Sequence, residues 1–300
     1  MSALSVSLIK PRPLAWVAIL AAISAIDGGC YKQPESVLQR LTETQGIAGR
    51  LQVEFTRASD ATNLAVMAQS DEASAKFAQE AARRMEAVQH QAEALRPLLA
   101  SLKFSQEGQL LDQFNRQFAT CRTLDQKILR LAVANDNLKA QRLSFGPAQK
   151  AADDFRLALE QVRRSAAGDS SRLDALAFKA LAALRQIQVL EAPHIAESRD
   201  EVMTSLEKQM AAAEAETRGA LDGLAALLPT DEKAKVNAAE VALTHFLDYH
   251  RQILALSRSN SNVRSLALAL GQRRRLTAEC SDTLEALTQA LQKRGFRATR

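Results

Sequence analysis

The chain has 300 residues, a formal charge of +5, only 11 glycines and 7 prolines, and 4% aromatic residues. Ala, Leu, Gln, Glu and Arg dominate, which excludes a turn-rich β fold and points to long helices around a core of Leu, Ala, Val and Ile. The basic C-terminal stretch KRGFRATR comes with no nucleic-acid-binding motif or aromatic-interleaved basic patch, so it reads as a solvated basic face, with no nucleic acid as partner.

In chain order, Lys10 and Arg12 precede an apolar run from Leu14 to Ile26, and DGGC then ends at Cys30. The run falls short of the roughly twenty residues a membrane-spanning helix needs. Basic residues, a short apolar run and small residues before a cut site have the layout of an export signal. Cys30 after Gly28 and Gly29 is similar to the lipid-acylation site of bacterial lipoproteins, although Asp27 stands where that pattern has an apolar residue. Residues 1–30 are therefore expected to be a signal peptide or lipoprotein signal. They would place the rest of the chain outside the cytoplasm, secreted or membrane-anchored through its N-terminus.

The remainder repeats. At an offset of 125 residues, Ile128, Leu129, Leu131, Asn135, Asn137, Leu143 and Gly146 fall on Ile253, Leu254, Leu256, Asn260, Asn262, Leu268 and Gly271. Two related units follow, 35–167 and 170–300. Apolar residues in each step by three and four, as in Cys121, Leu124, Ile128 and Leu131. Breaks are expected near Ser70-Asp71, Phe104-Ser105, Asn135-Asp136-Asn137 and Gly168-Asp169-Ser170, then near Pro193, Pro229 and Asn260-Ser261-Asn262. Four helices per unit predict an all-α fold of two tandem antiparallel up-down four-helix bundles. The Gly168–Ser171 stretch suggests that they lie side by side.

The repeated Asn-x-Asn admits two readings. Asn135 can sit in the core of a continuous helix and fix its register, or the helix can end there with Asn in the left-handed conformation before a new helix starts. Breaking at the motif makes the helices nearly equal in length, which favours the second.

The stretch LLDQFNRQFATCRTLDQKILRLA, the NDN break and LKAQRLS resemble the four-helix-bundle sensor domain of bacterial methyl-accepting chemotaxis receptors. In that family a third helix also ends in a short polar break before an Ala-bearing fourth. The resemblance spans both units and implies a periplasmic module that binds small molecules or a partner protein between helices. The receptors' second membrane span and signalling hairpin have no counterpart here.

Candidate ligand residues lie at the start of each fourth helix: Asn135, Asn137 and Lys139, and Asn260, Asn262 and Arg264. Free backbone N–H groups and a cation there suit a carboxylate, although the same residues can merely cap the turn. Cys121 and Cys280 fall on Phe246 and Phe155 in the repeat and read as core positions. A disulfide between them requires that the bundles pack together. His245 and His250 are wrongly spaced for a metal pair, and Glu191-x-x-His194 carries Pro193 and has no second copy. No metal, cofactor or enzyme is expected. Two functions compete: an envelope ligand-binding protein, or a structural envelope lipoprotein that docks on another protein and has no small-molecule ligand.

Overall fold

The computed structural model describes residues 36–165, 170–230 and 232–298; Cys30, the signal segment, Gly168, Asp169 and Asp231 lie outside them. The described residues are all-α, with no strand among them. The helices are α1 (Val37–Met67), α2 (Asp71–Ser101), α3 (Ser105–Ala134), α4 (Asp136–Leu143), α5 (Gln149–Ser165), α6 (Ser170–Ala196), α7 (Asp200–Leu227), α8 (Lys233–Ser259), α9 (Ser261–Leu268) and α10 (Arg274–Ala298). One π-helical turn, π1 (Ser144–Ala148), joins α4 to α5, and another, π2 (Ala269–Arg273), joins α9 to α10.

Local chemistry accounts for most boundaries. Ser70 caps α2, its hydroxyl accepting from the Ala73 N–H at 3.1 Å, and Asp71 and Glu72 complement the helix dipole. The break expected at Pro193 is absent, and α6 runs on to Ala196. The proline withdraws a donor from the carbonyl of Val189, which lies on the exposed face where water can serve it. The turn comes at Glu197 instead, whose carboxylate accepts from the N–H groups of Ser198 and Arg199, both at 2.9 Å.

Along α3 the buried residues Leu111, Phe114, Phe118, Cys121, Asp125, Ile128 and Ala132 alternate in steps of three and four. Val236, Ala239, Leu243, Phe246, His250, Ile253 and Ser257 do the same along α8. These are coiled-coil-like seams, and each carries polar residues in an otherwise apolar stripe. Small residues such as Ala58, Ala61 and Ala65 on α1 and Ala81 and Ala92 on α2 let those two helices pack closely.

The helices do not group as two successive bundles. α4, π1 and α5 leave α3 and pack along α8 and against α6, while α9, π2 and α10 pack along α3 and α1. One core draws only on residues from Ala140 to Ile253. The other joins residues from Ile47 to Leu129 with Cys280, Leu284, Leu287 and Leu291. A contiguous bundle of α4–α8 is thus inserted between α3 and α9 of a discontinuous one. We call the discontinuous unit (α1–α3 with α9–α10) bundle 1 and the inserted unit bundle 2. The division expected at residues 167–170 differs from this packing because the chain does not reverse at Asn135; each fourth helix runs on into the other bundle. The two bundles meet through α4 and α9 at this junction.

The three largest side chains of the bundle 1 core form an aromatic cluster. Phe114 stacks on Phe118 with ring centroids 5.5 Å apart, and Phe55 meets both edge-on at 5.8 and 6.2 Å.

Candidate functional site

The junction is built from the repeated asparagines. Asn135 and Asn260 are both left-handed, with φ of 53° and 54°, a conformation that asparagine tolerates better than most residues. Neither caps the helix that follows it. The caps are exchanged between the two strands of the crossover. Asn137 N–H donates to Asn262 Oδ1 and Asn262 N–H donates to Asn137 Oδ1, each at 3.1 Å. Asn137 Nδ2 donates to Asn260 Oδ1 at 2.9 Å, and Asn262 Nδ2 to Asn135 Oδ1 at 2.7 Å. Asp136 N–H donates to the Ser261 hydroxyl at 2.9 Å. Such reciprocity, i to j and j to i, is the mark of an isologous interface between subunits, here within one chain.

The two halves differ at the edge of this network. Asn137 Nδ2 also reaches the Ile195 carbonyl at 2.6 Å, and Asn260 Nδ2 the Glu197 carbonyl at 2.7 Å. The buried Nδ2 of Asn135 has no hydrogen-bond partner among the described residues. Lys139 turns back onto the Ala134 carbonyl at 2.7 Å, and Arg264 is exposed on α9. The structure therefore gathers Asn135, Asn137, Asn260 and Asn262 into one cluster, and every side-chain amide group in it except Asn135 Nδ2 bonds to another member or to backbone. Lys139 and Arg264 stand outside it.

The polar residues in the two seams form further clusters beside the π turns. In bundle 1, Arg273 of π2 is 3% exposed and pairs through Nε with Asp125 Oδ1 of α3. Its Nη1 donates to Asn63 Oδ1 at 3.1 Å, and its Nη2 to the Ser59 carbonyl and hydroxyl, each at 3.3 Å. Burial pushes the Asp125 carboxyl above the usual carboxylate range, against the pull of the Arg273 guanidinium. A buried pair of this kind costs desolvation energy, so it is a poor device for stability alone.

In bundle 2 the register position of Asp125 is held by His250, whose Nδ1 is 2.9 Å from Glu191 Oε1. Ser144 of π1 donates to the other oxygen of Glu191 at 2.5 Å. One turn along α6, His194 is fully buried between the Ser257 hydroxyl at 2.8 Å and Glu207 Oε1 at 2.9 Å. Burial lowers the His194 pKa, with Glu207 opposing. Arg258 and then His194 hold the Glu207 carboxyl below its ordinary value. Glu191 and His194 thus belong to two separate hydrogen-bonded pairs, Glu191 with His250 and His194 with Glu207. No group of three or more His, Cys, Asp or Glu among the described residues is placed to hold a metal ion.

The bundle 1 cluster opens to a cavity. A cleft of about 340 Å³ lies between α1 and the α9–π2–α10 helix. Ser59, Asn63, Arg273 and Thr277 form its polar side, and Val66, Met67, Leu266 and Leu270 its apolar side. Met67 and Leu270 are well exposed at the mouth. These residues escape a reading based on the conspicuous Asn-x-Asn motif. The available signal was a titratable residue in a three-four seam, Asp125 and its counterpart His250, together with the repeated position of Gly146 and Gly271 inside the π turns.

No protein-family model matches this sequence, and no match was found among curated proteins. No described helix is long and apolar enough to cross a membrane.

Proposed function

We propose that this chain is a non-enzymatic helical-bundle binding module of the cell envelope, similar in plan to a chemoreceptor sensor domain. In this reading the N-terminal segment exports it and Cys30 anchors it, and its ligand is a small carboxylate with a short apolar body. The observation that carries the reading is the cleft between α1 and π2, with a buried arginine at its base and apolar residues at its mouth. Few polar anchors in an otherwise apolar concavity are the usual make-up of a small-molecule site, and π turns occur frequently at functional sites. Arg273 already carries one carboxylate, so selectivity for an anion rests on its remaining donor capacity and on the exposed Arg274 at the rim. The π turn is favoured over the asparagines because, Asn135 Nδ2 apart, their side-chain groups already hold hydrogen bonds.

Thermal-shift titration of the full chain with butyrate, hexanoate and benzoate, and with hexylammonium as a charge control, tests this reading. Stabilisation by a carboxylate, abolished by Ala269→Trp, which fills the cleft, supports it. No shift with any of the acids, or an equal shift in Ala269→Trp, overturns it. Palmitate labelling that disappears in Cys30→Ser supports the anchor, and labelling that persists removes Cys30 as its site.

A second reading, a scaffolding protein without a small-molecule ligand, has one observation in its favour. Phe145 and Leu270 occupy the same position in the two π turns and are both largely exposed, at 73% and 67%. Loss of stabilisation by every acid, with Phe145→Ser and Leu270→Ser weakening association with the envelope fraction, would favour that reading.

A further inference from the structure

Behind the cleft, Cys121 of α3 and Cys280 of α10 are buried free thiols in one core. They lie in different halves of the chain and meet only because α10 completes bundle 1. Thr277, one turn before Cys280 on α10, has its hydroxyl 4.0 Å from Cys121 Sγ, so the part of α10 that carries Cys280 packs against Cys121. Phe246 and Phe155, which hold the same register positions in bundle 2, are fully buried core residues. The seam between third and fourth helix that is filled by two aromatic rings in one bundle is filled by two thiols in the other.

We propose that Cys121 and Cys280 form a dithiol that a small peroxide oxidises to a disulfide, tying α10 to α3. The route in is short: Thr277 lines the cleft, and its hydroxyl is 4.0 Å from Cys121 Sγ, so one side chain separates the thiol from the cleft. The order of attack follows from the surroundings. Cys121 is the thiol next to Thr277 on the cleft wall, so a peroxide entering there meets it first; Cys121 is the nucleophile and Cys280 the resolving thiol. The neighbouring Cys280 thiol and the Arg273 charge favour the Cys121 thiolate, against burial and the Asp125 carboxylate.

In the first step the Cys121 sulfur attacks one peroxide oxygen, the O–O bond breaks, and the departing hydroxide takes the thiol proton as water. The product is a sulfenic acid on Cys121. In the second step the Cys280 sulfur attacks the Cys121 sulfur, the S–O bond breaks, and hydroxide leaves with the Cys280 proton as a second water. Two electrons pass from the thiols to the peroxide, and a disulfide remains. None of this depends on whether the cleft holds a carboxylate.

The test uses the full chain carrying Cys30→Ser, so that Cys121 and Cys280 are the cysteines left of the 3 in the sequence. The folded protein is treated with hydrogen peroxide, quenched with catalase, unfolded, alkylated with N-ethylmaleimide and weighed intact. The expected product has lost two hydrogens and carries no maleimide, and dithiothreitol restores both alkylation sites. Cys121→Ser and Cys280→Ser should each leave one thiol that takes maleimide or oxygen. The mass of the parent alone decides the matter if either variant fails to fold. Retention of both alkylatable thiols, or gain of oxygen on both without loss of two hydrogens, overturns the proposal.

Discussion

Replacing Asn137 by alanine probes the junction directly. Its side chain accepts from the Asn262 N–H at 3.1 Å and donates to the Ile195 carbonyl at 2.6 Å and to Asn260 Oδ1 at 2.9 Å. Asn137 is 5% exposed, so water cannot readily replace it. At about 1 kcal/mol per lost bond, and more where a partner stays buried and unsatisfied, Asn137→Ala should cost about 3 kcal/mol. For a domain of roughly this size that corresponds to a melting temperature lower by about 6–12 °C. Asn262→Ala removes two bonds rather than three, to Asn137 N–H at 3.1 Å and to Asn135 Oδ1 at 2.7 Å, and should cost about 2 kcal/mol. Urea denaturation followed by circular dichroism measures both. A cost below about 1 kcal/mol for Asn137→Ala, or a larger cost for Asn262→Ala, would refute the exchanged-cap account of the junction.

The buried pair at the base of the cleft gives a contrasting expectation. Asp125→Asn leaves the Arg273 charge buried without its counter-ion and should cost about 3–5 kcal/mol, whereas Asp125→Leu with Arg273→Met should lie within roughly 1 kcal/mol of the parent. A double variant as unstable as the single one would show that the pair is not the source of the loss. Burial holds the folded His194 pKa below its ordinary value, so the unfolded chain takes the proton first and stability falls as pH drops below about 6.5. Glu207, whose pKa is also lowered, adds a loss in the same direction at more acid pH as its carboxylate is protonated. Melting temperatures from pH 8 to 5 should therefore decline, and His194→Gln should flatten that decline; an unchanged slope would exclude His194 as its cause. Finally, residues 36–165 expressed alone carry a fourth helix made for the other bundle. They should pair as a two-fold dimer in light scattering, and a stable monomer would contradict this.

Much of the fold was readable because helical periodicity is a local property. The three-four spacing of Leu111 to Ala132 marks α3 without reference to any neighbour, and the left-handed asparagines end α3 and α8 where a motif search places them. The partner of each fourth helix was not readable, since α4–α5 presents the same kind of apolar stripe to either bundle. The hydrogen bonds of Asn137 and Asn262 cross between halves, and pairwise bonding of this kind leaves no trace in periodicity. The candidate asparagines were found for a local reason, their turn chemistry, and their mutual pairing is visible only in three dimensions. Asp125 was passed over because it looks like an ordinary polar residue until its place in the seam is counted, and His250 was weighed only for its spacing from His245. Pro193 misled because a proline stops a helix only when the carbonyl it orphans has no other partner.

The inserted arrangement also sets an order of assembly on the ribosome. Bundle 2 has all its helices once Ser259 has been synthesised, while α1, α2 and α3, although made first, still lack their fourth partner. Their apolar faces, including the Phe55, Phe114 and Phe118 cluster, must wait for Leu284, Leu287 and Leu291 near the end of the chain. A nascent chain that stalls or is clipped within α10 would release a finished second half joined to an open, sticky first half, the kind of partly folded surface on which aggregation starts. The oldest part of the molecule, in order of synthesis, is the last to become stable.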